Sequence, residues 1–490
     1  MGCESEGTSS TMKRTRLTIL TAACGAMLFV TGCAHYPVNP KLERYERARP
    51  SISSPNRSDE LLLVVSFSGG GTRAATLAYG VLEAMARIKV PAPPHMSALP
   101  EGRSTLRLFD EVDIVTGVSG GSVAAAYLAL RGERIFTDFR QQFLSRNVTW
   151  GLVGRLLNPI NLWRLGSVYF SRTDLEAEYF DDLLFHGAMY KDLDPQRGPE
   201  LFIQATDIVD GYYFAFSRLH FGLICSDLSR FPLGRAVAAS ASLPGPFTAI
   251  TIRNYAGQCG YEEEPWMIEA LTKRDITSRA YRLARQLRSY QDWEGKPYIH
   301  LVDGGISDNL GVRGYLDFLI ASGDPSSAFK QRGIEHVKRV AFVIVNAETK
   351  QSTRGWSLLE ETPGLDNISD VSFSAMINSY NFESMELLRR MVKDWSVHRQ
   401  ETGQDHDPID FYAVEVAFSA LSDQKEQETF LNFPTSFDLS EEQIDRLREV
   451  AARLLYQSED FRRLVQDLGG KLPSSLLGPV LPAPLSVPSS

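Results

Sequence analysis

Val112-Asp-Ile-Val-Thr-Gly-Val-Ser-Gly-Gly-Ser122 is an apolar run that ends in a Gly-x-Ser-x-Gly sequence, and an alanine-rich run over 123–130 follows it. The pattern predicts a strand, a tight turn and a helix, with Ser119 at the turn. Gly117 and Gly121 suit a nucleophile elbow, because the turn brings neighbouring backbone too close for a Cβ atom. The motif alone also fits a glycine-rich loop, so its place between a strand and a helix carries the prediction.

A second glycine-rich loop follows an earlier apolar run. Leu61–Phe67 has the length and continuous apolarity of a strand buried on both faces. It leads into Ser68-Gly69-Gly70-Gly71-Thr72-Arg73, and a helix is predicted over Ala74–Lys89. A glycine loop at a helix N-terminus is suited to binding an anion.

Two functions compete for this loop. Its glycine spacing fits a dinucleotide-binding loop, but that site needs a second strand with an acidic end about 20 residues on. Val90-Pro-Ala-Pro-Pro94 stands there instead. We therefore interpret Gly69, Gly70 and Gly71 as backbone donors to an oxyanion, with Arg73 supporting the loop by charge or hydrogen bonds.

A third strand end supplies a candidate base. Pro297–Val302 is an apolar run that leads into Asp303-Gly304-Gly305. No histidine stands in a recognisable strand-end loop, and His300 would point to the opposite face of this strand from Asp303. A buried carboxylate can act as the base instead, and Asp303 is the best placed. Asp308 and Asn309 rank behind it, because turn formation and loop hydrogen bonding account for them.

The three glycine motifs, in this order and each at a strand end, resemble the patatin-like phospholipase family over Leu61 to Glu348. The resemblance implies an α/β fold whose mostly parallel central sheet is flanked by helices, which the alternation of strands and helices also favours. It further implies a Ser119–Asp303 dyad without histidine and an oxyanion hole made by the glycine loop and the Gly120 N–H. No metal or cofactor is implied.

The activity implied by the resemblance is hydrolysis of a lipid acyl ester, of the phospholipase A or lysophospholipase type. Ser119 would attack the ester carbonyl, and Asp303 would take its proton and then activate water. An acyltransferase with the same acyl-enzyme would differ only in its acceptor. A non-catalytic lipid-binding or envelope-assembly protein would keep the fold without the chemistry. The one departure is Ser68, where many family members carry aspartate.

The N-terminus resembles a bacterial lipoprotein signal. Basic residues at 13, 14 and 16 precede the short apolar run Leu17–Val30, and Cys33 follows small residues. The resemblance implies lipidation of Cys33 and, with Ala34 next, sorting to the outer membrane, facing the periplasm. A plain secretory signal is the alternative, and Met12 is an alternative start.

Five parts are predicted along the chain: a signal peptide at 1–32, a proline-rich tether at 33–59, a patatin-like catalytic domain at 60–348, a C-terminal mixed α/β extension at 349–471 and a loose tail at 472–490. A hairpin is predicted within the catalytic domain, with Asp210-Gly211 as its turn.

The net charge limits the class of binding partner that the sequence suggests, and the cysteines bear on the redox state of its cellular compartment. The net charge of −9 argues against a protein that binds nucleic acid. In an oxidising compartment with Cys33 acylated, Cys225 and Cys259 form an even pair. Either a disulfide between them or two buried free thiols is consistent with the sequence.

The segment 139–173 is basic and aromatic in an otherwise acidic protein. It contains five arginines and no Asp or Glu, and proline and glycine interrupt any single helix. This composition suits a lid that meets anionic lipid head groups at a membrane surface, and it equally suits an ordinary excursion packed on the core.

Overall fold

The computed structural model describes residues 34–47, 54–93, 96, 104–322, 336–349, 360, 364–402 and 409–473. The predicted signal peptide, the predicted lipidation site Cys33 and the predicted tail beyond residue 473 lie outside the described residues.

The strands of the described part follow apolar runs of the sequence. They are β1 (Leu61–Phe67), β2 (Lys89–Pro91), β3 (Thr105–Arg107), β4 (Val112–Val118), β5 (Glu200–Asp207), β6 (Tyr212–Phe216), β7 (Ile250–Arg253), β8 (Tyr298–Asp303), β9 (Arg339–Asn346) and β10 (Asp410–Ala417).

The helices of the described part alternate with these strands over most of the chain. They are α1 (Gly71–Ala86), α2 (Gly120–Arg131), α3 (Val148–Leu156), α4 (Pro159–Arg164), α5 (Arg172–Phe180), α6 (Arg218–Leu223), α7 (Leu233–Ala241), α8 (Pro265–Lys273), α9 (Arg279–Ser289), α10 (Gly305–Asp308), α11 (Arg313–Ser322), α12 (Leu365–Thr402), α13 (Gln424–Leu431), α14 (Glu441–Gln457) and α15 (Glu459–Asp467).

The central sheet is mostly parallel, as predicted. Strands β10, β9, β1, β4 and β5 lie side by side in that order and run parallel. Strand β1 is buried on both faces. Leu63 and Val65 belong to the core that contains α1 and α2, whereas Leu62 and Val64 belong to the core that contains Leu316 of α11. Helices on both faces explain why the strand sequence is continuously apolar.

The antiparallel part of the sheet brings two strand ends together. Strand β6 forms the predicted hairpin with β5 and occupies one edge of it from Ile203 to Asp207. Strands β4 and β8 therefore share the other edge of β5, with β4 ending opposite Gln204 and β8 ending opposite Ala205. The carboxyl ends of β4 and β8 meet head to head. Strand β8 runs antiparallel to β5 within this mostly parallel sheet, so Asp303 reaches the end of β4 from the opposite direction.

The C-terminal extension contributes directly to the central sheet. Strand β10 pairs with β9 along its whole length, from Asp410 to Ala417. Helix α14 packs on α1 so closely that a Cβ at Gly80 would lie 2.8 Å from the Ala451 Cβ. The mixed α/β composition predicted beyond residue 349 is present, but no boundary in the sheet separates it from the preceding part.

The chain from residue 34 to 47 lies along the body of the molecule. The Leu42 N–H donates to the Cys225 carbonyl and the Tyr45 N–H to the Cys259 carbonyl, each at 2.8 Å. Asn39 is buried. Cys225 and Cys259 form a disulfide, with their Cα atoms 5.4 Å apart. This stretch, predicted as part of a tether, is extended but docked, because its backbone groups find partners on the body.

Within the described ranges, every helix is either too short or too polar to cross a membrane.

Candidate active site

Ser119 occupies the sharp turn between β4 and α2. Its backbone torsions are φ 49° and ψ −127°, which L residues rarely adopt. Hydrogen bonds hold the turn: the Ser119 N–H donates to Ser240 Oγ at 2.8 Å, and Ser122 Oγ donates to the Ser119 carbonyl at 2.6 Å. Ser240 is itself held by donating to the Gln204 carbonyl at 2.6 Å. The turn therefore presents the serine in one orientation at the strand end.

The glycines around Ser119 are required by close backbone approach. A Cβ at Gly120 would lie 2.0 Å from the Gly71 carbonyl oxygen. One at Gly121 would lie 2.4 Å from the Ser68 carbonyl oxygen, and one at Gly117 would lie 2.5 Å from the Ser122 Cα. These contacts are shorter than any real Cβ contact, so the predicted steric reason for the glycines holds.

Asp303 lies beside Ser119 because β4 and β8 end at the same point. Its carboxylate accepts the Gly305 N–H at Oδ1, at 2.8 Å. Burial raises the pKa of Asp303 to about 6, and the Gly305 N–H and the nearby Ser119 hydroxyl oppose the rise. A Cβ at Gly304 would lie 2.3 Å from the Gln204 carbonyl oxygen, so this glycine lets β8 approach β5.

The glycine loop brings free N–H groups next to Ser119. Helix α1 begins at Gly71, three residues earlier than predicted, and Gly70 and Gly71 have φ of 140° and 60°. In the part of the chain that the structure describes, no group accepts the N–H of Gly70, Gly71 or Gly120. Gly69, which the sequence analysis also assigns to the oxyanion hole, donates its N–H to the Asn309 carbonyl at 3.1 Å.

The sequence model of the patatin-like phospholipase family matches residues 65–315 of the chain. This chain belongs to the patatin-like phospholipase family.

Similarity to solved structures is distant. Human GIVD cytosolic phospholipase A2 has 13% sequence identity and a TM-score of 0.42, and the match covers 84% of this chain and 62% of the human chain. The same enzyme with methyl gamma-linolenyl fluorophosphonate gives 12% identity and a TM-score of 0.38, covering 84% and 59%. The type III effector protein ExoU gives 15% identity and a TM-score of 0.20, covering 86% and 82%. This chain therefore spans less than two thirds of the human enzyme. No curated protein is significantly similar to it in sequence.

Arg73 holds the glycine loop of this patatin-like protein from within α1. The buried guanidinium donates to the carbonyls of Phe433 and Ala347, at 2.6 and 2.9 Å, and to Thr435 Oγ1 at 3.2 Å. The Thr72 N–H donates to the Ser436 carbonyl. Burial lowers the pKa of Arg73 to about 9, which leaves it charged at neutral pH. The predicted support is therefore supplied by hydrogen bonds, and its partners lie near and beyond the end of the predicted catalytic domain.

Asp308 and Asn309 make loop contacts in the patatin-like site. Asp308 Oδ2 accepts the Arg313 N–H at 2.8 Å, and burial raises the pKa of Asp308 to about 6. A Cβ at Gly69 would lie 2.4 Å from Asn309 Oδ1, so Asn309 fits against the glycine loop only because that position is glycine.

Two histidines of the described part have partners other than Ser119. His300 hydrogen-bonds to Thr251 at 3.0 Å, and His220 stacks edge-on against Phe214. Burial lowers the pKa of His220 to about 3. A dyad without a histidine base stays a prediction.

Sequence reasoning missed two residues near the patatin-like dyad. Ser240 lies in a run of small residues whose composition indicates only close packing. Glu176 of α5 is fully buried with both carboxyl oxygens unpartnered among the described residues. Burial raises the pKa of Glu176 well above its usual range, and the charge of Asp303 adds to the rise. Glu176 stands between Asp174 and Glu178 in a short helix, and such an acidic run gives no signal of burial.

Proposed function

We propose that this protein is a serine lipid acyl hydrolase of the phospholipase A or lysophospholipase type, which works through a Ser119–Asp303 dyad and an acyl-enzyme. The observation that carries the proposal is the placement of Ser119, in its strained turn, beside the buried Asp303 carboxylate, where the strands that carry them end opposite neighbouring residues of β5. A serine at a sharp strand-to-helix turn with one positioned base meets the requirements of nucleophilic catalysis.

In the first half-reaction, Ser119 Oγ attacks the carbonyl carbon of the ester while its proton moves to the Asp303 carboxylate. The negative charge that develops on the carbonyl oxygen is stabilised by the free N–H groups of Gly70, Gly71 and Gly120. Collapse of the tetrahedral intermediate breaks the ester C–O bond. The departing alkoxide takes the proton from Asp303 and leaves as an alcohol or a lysolipid, and the acyl group remains on Ser119.

In the second half-reaction, water attacks the acyl carbon and gives its proton to Asp303. The same N–H groups stabilise the second oxyanion. Collapse returns the proton to Ser119 and releases the fatty acid. A carboxylate with a pKa near 6 suits both roles, because it is ionised at neutral pH yet basic enough to accept a proton.

The proposed location is the bacterial envelope, with the chain anchored through Cys33 to the outer membrane and facing the periplasm. The support is the lipoprotein-like N-terminal sequence and the Cys225–Cys259 disulfide, which suits an oxidising compartment.

The test compares the chain from Ala34 onward, which contains every described contact, with its Ser119→Ala and Asp303→Asn forms. Fatty-acid release is measured from phospholipids, lysophospholipids and short-chain esters. We expect both substitutions to reduce kcat by about a thousandfold or more. Asp308→Asn is the matched control, since Asp308 is equally buried and has a similar pKa but faces Arg313.

Two results would overturn the proposal. One is wild-type protein that releases no fatty acid from any ester and whose Ser119 does not react with a fluorophosphonate. The other is Asp303→Asn protein that keeps wild-type kcat while Asp308→Asn loses it. Circular dichroism of each form separates a lost base from a lost fold.

A further inference from the structure

Large apolar side chains are exposed between residues 150 and 169. Trp150 and Ile160 are each 70% exposed and Val168 is 91% exposed. Leu157 and Tyr169 are also exposed. The first part of the segment predicted as a lid does not share this property, because Phe139 and Phe143 are fully buried. We call residues 148–169 the apolar segment.

The apolar segment is held on the body along one side. Gly151 of α3 faces α5 so closely that a Cβ there would lie 2.3 Å from Tyr179 Oη. The Arg155 guanidinium lies over the Tyr179 ring, 5.3 Å from its centroid. Helix α4 buries none of its residues. The segment is therefore a fixed platform whose outer side is apolar.

Both arginines of the apolar segment are paired with carboxylates of the protein. Arg155 pairs with Asp182, and Arg164 pairs with Glu178. Arg140, in the core part, pairs with Glu441 and Asp445. Three of the five arginines of 139–173, including both in the apolar segment, are thus neutralised by carboxylates outside 139–173.

The start of the described chain is attached to the same segment. The Tyr36 N–H donates to the Tyr169 carbonyl at 2.7 Å, and Ser167 Oγ donates to the Ala34 carbonyl. The rings of His35 and Tyr169 stack with their centroids 5.1 Å apart. Residue 33, the predicted lipidation site, directly precedes Ala34 in the chain, so an anchor there would begin beside the exposed Val168 and Tyr169.

The apolar segment also leads to the candidate active site. Arg172 Nη2 donates to the Gly245 carbonyl at 3.1 Å, and Thr173 contacts Thr248. This 243–248 loop follows Ser242, whose carbonyl accepts the Asp303 N–H at 3.0 Å. A surface on which the apolar segment docks would therefore lie close to the Ser119–Asp303 dyad.

We propose that the apolar segment is a membrane-docking surface that inserts into the interface of a zwitterionic lipid bilayer by apolar burial. The mixture of tryptophan, tyrosine and branched aliphatic side chains is the composition that favours the interface between head groups and acyl chains. The anchor and the platform then form one membrane-facing side, and the neutralised arginines make binding insensitive to lipid charge.

The experiment measures binding alone, so that it does not depend on the proposed hydrolysis. The protein used is the unlipidated chain from Ala34 onward with the Ser119→Ala substitution. It is sedimented with phosphatidylcholine vesicles and with vesicles that contain phosphatidylglycerol, each at low salt and at 0.5 M NaCl. At 0.5 M NaCl the Debye length falls to about 4 Å, so electrostatic attraction is screened. We expect similar partitioning in all four conditions and a loss of about tenfold or more in Trp150→Ser/Ile160→Ser. The matched control is Trp293→Ser/Ile276→Ser, which replaces the same residue types at exposed positions outside the segment and should bind like the parent.

Three outcomes would overturn the proposal. Binding that requires phosphatidylglycerol and disappears at high salt would make the attraction electrostatic. Equal binding by the two double variants would show that the membrane-binding surface is not the apolar segment. A stable dimer by light scattering that Trp150→Ser/Ile160→Ser converts to monomer, without vesicle binding by the parent, would assign the face to a second copy of the chain. Hydrolysis of a soluble short-chain ester, measured with serine at 119, reports separately on the dyad.

Discussion

At the scale of single residues, the candidate site depends on one strained serine and the contacts that hold it. A backbone conformation such as that of Ser119 costs about 1–3 kcal/mol. Ser240 and Ser122 offset part of this cost through hydrogen bonds to the Ser119 backbone. The strain is useful because it leaves Oγ at the strand end, beside Asp303 and the free N–H groups.

The first prediction concerns pH. Asp303 must be ionised to accept the Ser119 proton, and its pKa is raised to about 6. Above this pH the base is present and kcat/KM is constant, whereas below it kcat/KM falls about tenfold for each pH unit. The measurement is kcat/KM for a soluble short-chain ester from pH 4.5 to 8.

Asp308 provides the control for this profile, since burial raises its pKa to about 6 as well. Asp308→Asn should leave the inflection in place. An inflection that disappears in Asp308→Asn, or a flat profile in the wild type, would remove Asp303 from the role of base.

The second prediction concerns the elbow. A Cβ at Gly120 would meet the Gly71 carbonyl oxygen at 2.0 Å, so Gly120→Ala must displace the glycine loop that carries the free N–H groups. We expect kcat to fall about a hundredfold or more. Gly154→Ala is the control, because a Cβ there meets nothing within 4 Å, and it should keep wild-type kcat. Wild-type kcat in folded Gly120→Ala would contradict the close approach.

At the scale of elements, the disulfide and the stretch 34–47 act together. Both half-cystines accept a backbone hydrogen bond from this stretch, Cys225 from Leu42 and Cys259 from Tyr45. The disulfide closes a sequence separation of 34 residues. It therefore constrains the unfolded chain and positions the two carbonyls on which the N-terminal stretch docks.

The third prediction is that Cys225→Ala/Cys259→Ala lowers the free energy of unfolding by about 2–4 kcal/mol, through the lost constraint on the unfolded chain. Denaturant titration without reductant measures the change. Reductant should lower the stability of the wild type by a similar amount and leave the double variant unchanged. Equal stability of the two proteins without reductant would mean that the disulfide does not form in solution.

At the scale of the whole molecule, the C-terminal part completes the candidate site. Strand β10 closes one side of the sheet, and the 433–436 loop accepts hydrogen bonds from Arg73 and Thr72. The glycine loop is thus positioned by residues more than 350 positions later in the chain. Removal of the C-terminal part would leave the buried Arg73 guanidinium without two of its acceptors, Phe433 and Thr435.

The fourth prediction follows from this arrangement. Arg73→Lys keeps the charge but cannot reach all three acceptors at once, so the glycine loop shifts. We expect kcat to fall by roughly tenfold to a hundredfold, as a displacement of about 1 Å can cause. The readout is kcat for a soluble short-chain ester.

Arg448→Lys is the matched control. Arg448 of α14 pairs with Glu83 of α1 and also joins the C-terminal part to α1, but away from Ser119. We expect it to lower stability by about 1 kcal/mol or more and leave kcat unchanged. Equal kcat losses in both variants would point to a general effect of C-terminal packing.

Much of the fold could be predicted because local patterns have local causes. The β1 run is continuously apolar because helices cover both faces of the strand, and its bounds agree with the prediction. Helix α1 begins three residues before its predicted start, since glycine has low helix propensity and the local sequence does not mark Gly71 as a helix start. The 139–173 segment shows five arginines and no carboxylate, but local sequence does not reveal that Arg140, Arg155 and Arg164 pair with carboxylates outside the segment.

Local sequence specifies the elements around the site: the strand, turn and helix around Ser119, the glycine loop and the strand end at Asp303. Torsional preference, apolar periodicity and the missing Cβ of glycine are properties of neighbouring residues. Long-range packing, in contrast, sets three features: β8 meets β4 head to head along one edge of β5, Gly69 is already hydrogen-bonded, and Arg73 is held by the C-terminal part. These depend on which distant backbone groups share a strand edge or a buried space. No local pattern of residues encodes that choice.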